Sequence, residues 1–278
     1  AVSLSPASAP AARTAPPFPG PARRHTPDRT MHRTTTPAAA EPLLGLSNIA
    51  VKGSISGISL TGAQGQAVGL AGLLGSGRTE VCRAVYGVDA LSQGEIQFAG
   101  KTLHLRQPAD AIKAGIALCP EERKTEGIIG PLSIRENIML ALQARRGWWR
   151  YLPVKQQQQL AAFYIDKLQI ATPDADKPIE QLSGGNQQKV LLAKGLAQDI
   201  EVYLFDEPTV GVDIGARLAI YQCLGELSAA GAAIVMVSSD LPELMGMTHR
   251  MLVMKEGRIV AEFQRAEYDE HRILEKFF

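Results

Sequence analysis

The stretch Gly72-Leu73-Leu74-Gly75-Ser76-Gly77-Arg78-Thr79 decides how the rest of the chain is read. It follows an apolar run, Ala67–Ala71, that reads as a short buried strand, and it opens a segment of helical character. Glycines at 72, 75 and 77 let the backbone curl until its N–H groups point inward, and the helix start adds its dipole. Main-chain donors arranged in this way hold phosphate. The pattern is G-x4-G-K-S/T with Arg78 in place of the lysine. Arginine keeps the charge, but its planar, longer head suits the compact ammonium seat poorly. Gly72, Gly75, Ser76, Gly77 and Arg78 are therefore candidate phosphate contacts, and the Thr79 hydroxyl is a candidate magnesium ligand. An ordinary glycine-rich strand-to-helix turn is the plainer explanation of such a loop taken alone.

Downstream, Val202-Tyr203-Leu204-Phe205-Asp206-Glu207 supplies what such a loop needs. Four apolar residues predict a strand buried on both faces, delivering Asp206 at its carboxyl end as a second metal ligand. Glu207 follows at once, where a carboxylate can orient or deprotonate attacking water. A second apolar strand is expected at Ala233–Val237, with a helix between them marked by Ile220, Leu224 and Leu227. Strands are also expected at Leu44–Val51, Ser54–Leu60 and Ile116–Cys119, hairpins at 94–105 and 251–263, and helices at Ala109–Ala114, Ile134–Leu142 and Gln156–Leu168. No internal repeat is present.

Composition bounds the reading. The 278 residues, 45% hydrophobic and 21% charged, have the mix of a globular protein with a real core. No apolar run approaches the ~18 residues of a membrane-spanning helix. Net charge is +1, but residues 1–40 hold five Arg and one Asp, which leaves −3 on the rest. The body therefore offers no basic surface to nucleic acid. Those forty residues also hold eight of the 17 prolines, lack the apolar core of a secretory signal, and are expected to be disordered. The chain starts with Ala and has a Met at Met31, as a fragment or an altered start would. Cys82, Cys119 and Cys223 show no metal or disulfide spacing and read as buried, reduced thiols.

The remaining motif is Leu182-Ser183-Gly184-Gly185-Asn186-Gln187-Gln188-Lys189, opening an apolar helix 105 residues after Arg78, with Ser183 standing 23 residues before Asp206. Ser183 is a candidate N-cap, and the glycines permit close approach of phosphate to the helix end. With this motif in place the sequence, over about residues 43–265, resembles the ATP-binding-cassette (ABC) ATPases, whose signature is LSGGQ-like. LSGGNQQK, GSGRTE and Pro120-Glu121-Glu122-Arg123-Lys124 together resemble the second cassette of two-cassette ATPase subunits from bacterial monosaccharide importers of the ribose, galactoside and autoinducer-2 type.

The resemblance implies an α/β fold of the P-loop NTPase class, with a mixed sheet core, an antiparallel β subdomain and a helical signature subdomain at about 121–197. It implies a nucleotide-binding domain at 42–266, between a leader (1–41) and a C-terminal tail (267–278). ATP and Mg2+ are the implied cofactors, and ATP hydrolysis coupled to sugar import is the implied activity. Implied partners are a complementary cassette, transmembrane permease subunits and, indirectly, a periplasmic sugar-binding protein. The implied location is peripheral, on the cytoplasmic face of the bacterial inner membrane. Ser183, Gly184 and Gly185 take the role of the signature lent to the partner, Asp213 that of the D-loop aspartate. Glu121 stands at the usual Gln position, and Ser239 replaces the switch histidine. No Tyr precedes Val51 to stack on adenine, Val210 replaces a usual Arg, and His249 replaces a usual Asp and reads as a surface change. The missing first cassette implies either half of a longer subunit or a separate partner polypeptide.

Two other classes compete. A repair or translation cassette would need a long coiled coil or tandem cassettes with basic linkers, and neither is visible. A non-hydrolysing regulatory cassette, mainly lending its signature, is suggested by Arg78, Glu121 and Ser239 but opposed by Glu207. Of the other conspicuous residues, Trp148 and Trp149 could touch a permease or pack within the helical subdomain, Arg145 and Arg146 read as a solvated turn, and 156–159 as a polar helix face. The five histidines lack metal-ligand spacing.

Overall fold

The computed structural model describes residues 42–147 and 149–278. The expectations for the leader and for Trp148 fall outside them. The antiparallel sheet forms first in the chain. β1 (Pro42–Val51) and β2 (Ile55–Ala63) pair as a hairpin, and β4 (Gln93–Phe98) and β5 (Lys101–Leu103) add to it in the order β2-β1-β4-β5, after β3 (Ala67–Ala71) and α1 (Arg78–Val85) have intervened. Leu44, Leu46, Ile49, Ile55, Ile58 and Leu60 turn one face of it inward.

α2 (Pro108–Ala114) leads to β6 (Ile116–Cys119). Then come α3 (Ile134–Arg146), α4 (Val154–Lys167), α5 (Gly184–Leu196), β7 (Val202–Asp206), α6 (Ile214–Ala229), β8 (Ala233–Val237), α7 (Leu241–Met247), β9 (Arg250–Lys255), β10 (Arg258–Gln264) and α8 (Glu270–Leu274). The second sheet has the order β10-β9-β3-β8-β7-β6; only β10, against β9, is antiparallel. The mixed core, antiparallel sheet and helices agree with the expected class.

The parallel strands are apolar at every position because both faces are covered. In β7, Val202 and Leu204 point to the core shared with the antiparallel sheet, while Tyr203 and Phe205 point to the helical side; β8 alternates in the same way. The expected strand and helix centres are in place, with ends shifted by up to four residues, as where α3 runs on from Leu142 to Arg146. After α4 ends at Lys167 the chain continues as loop to a short 3-10 turn at Ile179–Gln181. Near the C-terminus, α8 buries Ile273 in the larger core.

Several readings need correction. His249 is buried, not a surface change: its Nδ1 accepts the Ala67 N–H at 2.9 Å, tying the start of β9 to β3. Arg145 and Arg146 are exposed, as the solvated reading has it, but they form the last turn of α3 rather than a loop turn, and Arg145 also donates to the carbonyls of Gln198 and Asp199 (2.9 Å for the latter) just beyond α5. Gln157 departs from the polar-face reading; it is buried, and its Nε2 donates to the Leu152 carbonyl at 2.7 Å. Trp149 is fully exposed, so packing within the helical subdomain is excluded for it. All three cysteines are free and buried, as expected.

Candidate functional site

β3 ends at Ala71 and α1 begins at Arg78, so the six residues between must turn the chain on itself. Gly72 can only be glycine: at φ +153° a Cβ would meet the Met254 carbonyl at 2.4 Å. Gly75 and Gly77 are also at positive φ, and Gly75 faces open space. β7, two strands away across β8, delivers Asp206 and Glu207 at its carboxyl end. The carboxyl end of β8 carries Ser238 and Ser239 next to them: the Glu207 N–H donates to the Val237 carbonyl at 3.0 Å.

Here the first group of candidates converges. Arg78 is buried, and its guanidinium donates to the Ser238 carbonyl (2.8 Å) and lies 3.9 Å from the Glu207 carboxylate. Ser239 donates its hydroxyl to the other Glu207 oxygen at 3.2 Å, so the serine at the switch position is engaged with Glu207. Glu207 sits at φ +50°, a left-handed conformation that costs a non-glycine residue about 1 kcal/mol or more. Burial pushes its carboxyl above the usual range, against the pull of Arg78. Asp206 is pushed further, to about 7: burial dominates, Glu121 and Glu207 add repulsion, and the Thr79 hydroxyl and Arg78 oppose it. Glu121 is exposed but near enough to act on both carboxylates.

The second group gathers at the start of α5. The Ser183 hydroxyl caps the helix by accepting the Asn186 N–H, as its residue type led one to expect. Gly185 packs against the loop before α6, where a Cβ would lie 3.3 Å from the Gly211 carbonyl, and Asp213 caps α6 through the Ala216 N–H at 2.9 Å. The Ala216 hydrogen bond holds the Asp213 carboxyl below its usual range. Asn186, Gln187, Gln188 and Lys189 moor the helix end: their side chains bond, in turn, to the Ala171 N–H, the Leu182 carbonyl, the Pro208 carbonyl and the Gln169 carbonyl. Among the described residues no hydrogen bond or ion pair joins Gly72–Thr79 to Ser183–Gly185. The candidates thus fall into two groups rather than one.

The residues fit a nucleotide with a divalent cation. Asp206 Oδ1 and Ser76 Oγ are buried without a hydrogen-bond partner, both beside the glycine cradle. No cluster of three or more His, Cys, Asp or Glu that could hold a metal exists among the described residues. A cation here would have one protein carboxylate and a hydroxyl, the kind of site that magnesium shares with phosphate oxygens. Sequence reasoning missed Glu243. It is buried in α7 and takes the hydroxyls of Ser238 and of Thr209 (2.7 Å), bracing the loops that carry Glu207 and Ser239. Its only signal is the Asp240-to-Glu243 spacing of a helix start. Gln188 and Arg123 were likewise given no role by their spacing.

The sequence model of the family described as "ABC transporter" matches residues 55–210. The galactofuranose transporter ATP-binding protein YtfR of Escherichia coli O157:H7 is 46% identical over 82% of this chain and 45% of its own length. The arabinose import ATP-binding protein AraG of Ralstonia nicotianae is 48% identical over 76% of this chain and 42% of its own. The ribose import ATP-binding protein RbsA of Oceanobacillus iheyensis is 42% identical, over 86% and 48%. The chain thus spans about half the length of the curated relatives it matches. In fold it is similar to a nucleotide-free ATP-binding cassette from an ABC transporter (TM-score 0.71, 19% identity, 86% of this chain and 99% of that one). A dimeric post-hydrolysis cassette bound to ADP and Pi gives a TM-score of 0.70 at 22% identity, over 80% and 98%.

Proposed function

The chain belongs to the ABC transporter family, and from that premise we propose that it binds and hydrolyses ATP together with a complementary cassette, driving sugar uptake through a separate permease. The observation that carries this reading is the separation of the two half-sites. A phosphate cradle with its carboxylates, and a capped helix start with free donors, can serve one nucleotide only when a second cassette closes the gap. The sugar importers named among the relatives support the substrate class. The particular sugar is set by the permease and the binding protein, because no residue of this chain meets it.

In this reading the N–H groups of residues 72–79 hold the phosphates, and Thr79 with Asp206 holds Mg2+, which supplies neutralisation of phosphate charge. Glu207 accepts the proton of attacking water. Its raised proton affinity suits that task, and the Ser239 hydroxyl fixes its orientation. Arg78, turned to Glu207 and Ser238, leaves the chain's own loop short of a phosphate cation. The chain's larger contribution is then the intact Ser183–Gly185 end lent to the partner, with Asp213 bordering it. No helix among the described residues is long and apolar enough to cross a membrane. In this reading the permease holds the chain peripherally at the cytoplasmic face of the inner membrane. The non-hydrolysing alternative gains no support from relatives named as import and transporter ATP-binding proteins.

The test is transport-coupled ATPase activity of the assembly with permease and complementary cassette. Gly184→Asp places a negative charge where the partner's phosphates approach, and is expected to remove most activity. Arg78→Ala is expected to remove only part. Equal loss from both, in folded and assembled variants, overturns the unequal division of work; no loss from Gly184→Asp overturns the shared-site reading itself.

A further inference from the structure

Arg123 opens a single π-helical turn, Arg123–Gly127, two residues after Glu121. Its guanidinium lies over the first residue of α5. A Cβ on Gly184 would stand 2.7 Å from Arg123 Nη2, and one on Gly211 would stand 3.7 Å from Nη1. Its Nε is buried without a hydrogen-bond partner, and no carboxylate forms an ion pair with it among the described residues. The main-chain N–H groups of Gly184 and Gly185 also lack an acceptor there.

By itself this is an unfavourable arrangement. A helix start carries about half a positive charge, and a cation placed beside it is repelled. Partial desolvation of an unpaired guanidinium adds to the cost. Two positive elements with unfilled donors converge on one spot, and an anion between them relieves both. Lysine could supply the charge, but only the planar fork can give two parallel hydrogen bonds to a phosphate.

We propose that Arg123 is a phosphate-binding residue of the composite site. Together with the Gly184 and Gly185 N–H groups it grips the phosphates of the nucleotide carried by the complementary cassette, and it adds a cation in trans to that nucleotide. The inference rests on reading the start of α5 as the element lent to that cassette. It also accounts for glycine at 184, since a side chain there pushes the guanidinium aside.

The experiment is steady-state Mg-ATP hydrolysis by the assembly of this chain with its complementary cassette, comparing Arg123→Gln, Arg123→Lys, Gly184→Ala and Gly184→Asp. Arg123→Gln is expected to lower kcat/KM by about tenfold or more, and Arg123→Lys by distinctly less, because the charge is kept. Binding of a fluorescent ATP analogue to the isolated chain is expected to be unchanged by Arg123→Gln. Should Arg123→Gln fail to fold, Gly184→Ala decides: its methyl displaces the guanidinium without adding charge, and an unchanged KM for ATP overturns the proposal. Arg123→Gln within about twofold of wild type, while Gly184→Asp abolishes turnover, overturns the proposal and leaves the shared-site reading intact. Arg123→Lys losing as much as Arg123→Gln also overturns it, since the cation would then be irrelevant. Full activity in Gly184→Asp overturns the reading on which the proposal rests.

Discussion

Arg78 Nη2 lies 3.9 Å from Glu207 Oε1, with both side chains all but closed to solvent. The residue that a phosphate loop would direct at nucleotide is thus engaged with the carboxylate proposed to handle water. The pair is long, and its firmest tie is the Arg78 hydrogen bond to the Ser238 carbonyl at 2.8 Å.

That inequality predicts unequal costs. Arg78→Met leaves a buried carboxylate without its cation and a carbonyl without its donor, for a loss of about 2–4 kcal/mol. Glu207→Gln leaves Arg78 bonded to Ser238 and is expected to cost less. Urea unfolding of the nucleotide-free chain checks both, and the reverse order would count against the pairing as described.

Asp206 predicts a pH dependence. Its carboxyl titrates near 3.8 when unfolded and at about 7 in the fold, chiefly through burial. Between those values the folded chain keeps a proton that the unfolded chain has released. Its contribution is therefore full below pH 4 and is lost as pH rises through 7, by at most about 4 kcal/mol. Asp206→Asn is expected to remove this slope, to stabilise the nucleotide-free chain at pH 8, and to abolish magnesium-dependent ATP binding. Thermal midpoints from pH 5 to 8 measure it; an unchanged slope in the variant would refute the assignment.

His249 works in the opposite sense. Burial foremost, with Arg265 adding, lowers its proton affinity, while the Ala67 N–H holds Nδ1 as an acceptor. Below its ordinary value of 6.5 the unfolded chain gains a proton that the folded imidazole resists, so this contribution falls as pH drops. His249→Ala is expected to cost about 1–3 kcal/mol at pH 8, where the imidazole is neutral in both states, by orphaning the Ala67 N–H. Chemical denaturation at pH 8 reads that cost directly.

Gln188 links the two half-sites, donating from α5 to the Pro208 carbonyl at 3.3 Å, one residue beyond Glu207. Gln188→Leu is expected to cost about 1 kcal/mol and to lower kcat of the assembly several-fold with ATP affinity of the isolated chain unchanged. A change in affinity alone would show that the link serves only the chain's own loop.

The sequence by itself determined the parts that depend on local chemistry. Apolar runs at 67–71, 202–205 and 233–237 announce strands covered on both faces, because a strand in that position has no polar side to show. Ser183 announces a helix cap because its hydroxyl meets its own helix three residues on. The order of phosphate loop, Ser183–Gly185 and Asp206–Glu207 identified the family, since each motif needs only its neighbours to form. What the tertiary structure decided are the partners of long side chains. Arg78 reaches Ser238 across 160 residues and His249 reaches Ala67 across 182, and no spacing rule encodes either contact. Arg123 reads as one charge in a charged run until the packing of its π-helical turn against α5 lays it on Gly184, and nothing in the sequence ties the exposed Arg145 to the carbonyls it meets beyond α5. A charged or polar side chain several ångströms long has many partners open to it in an extended chain. Only the packing of the elements that carry it leaves one.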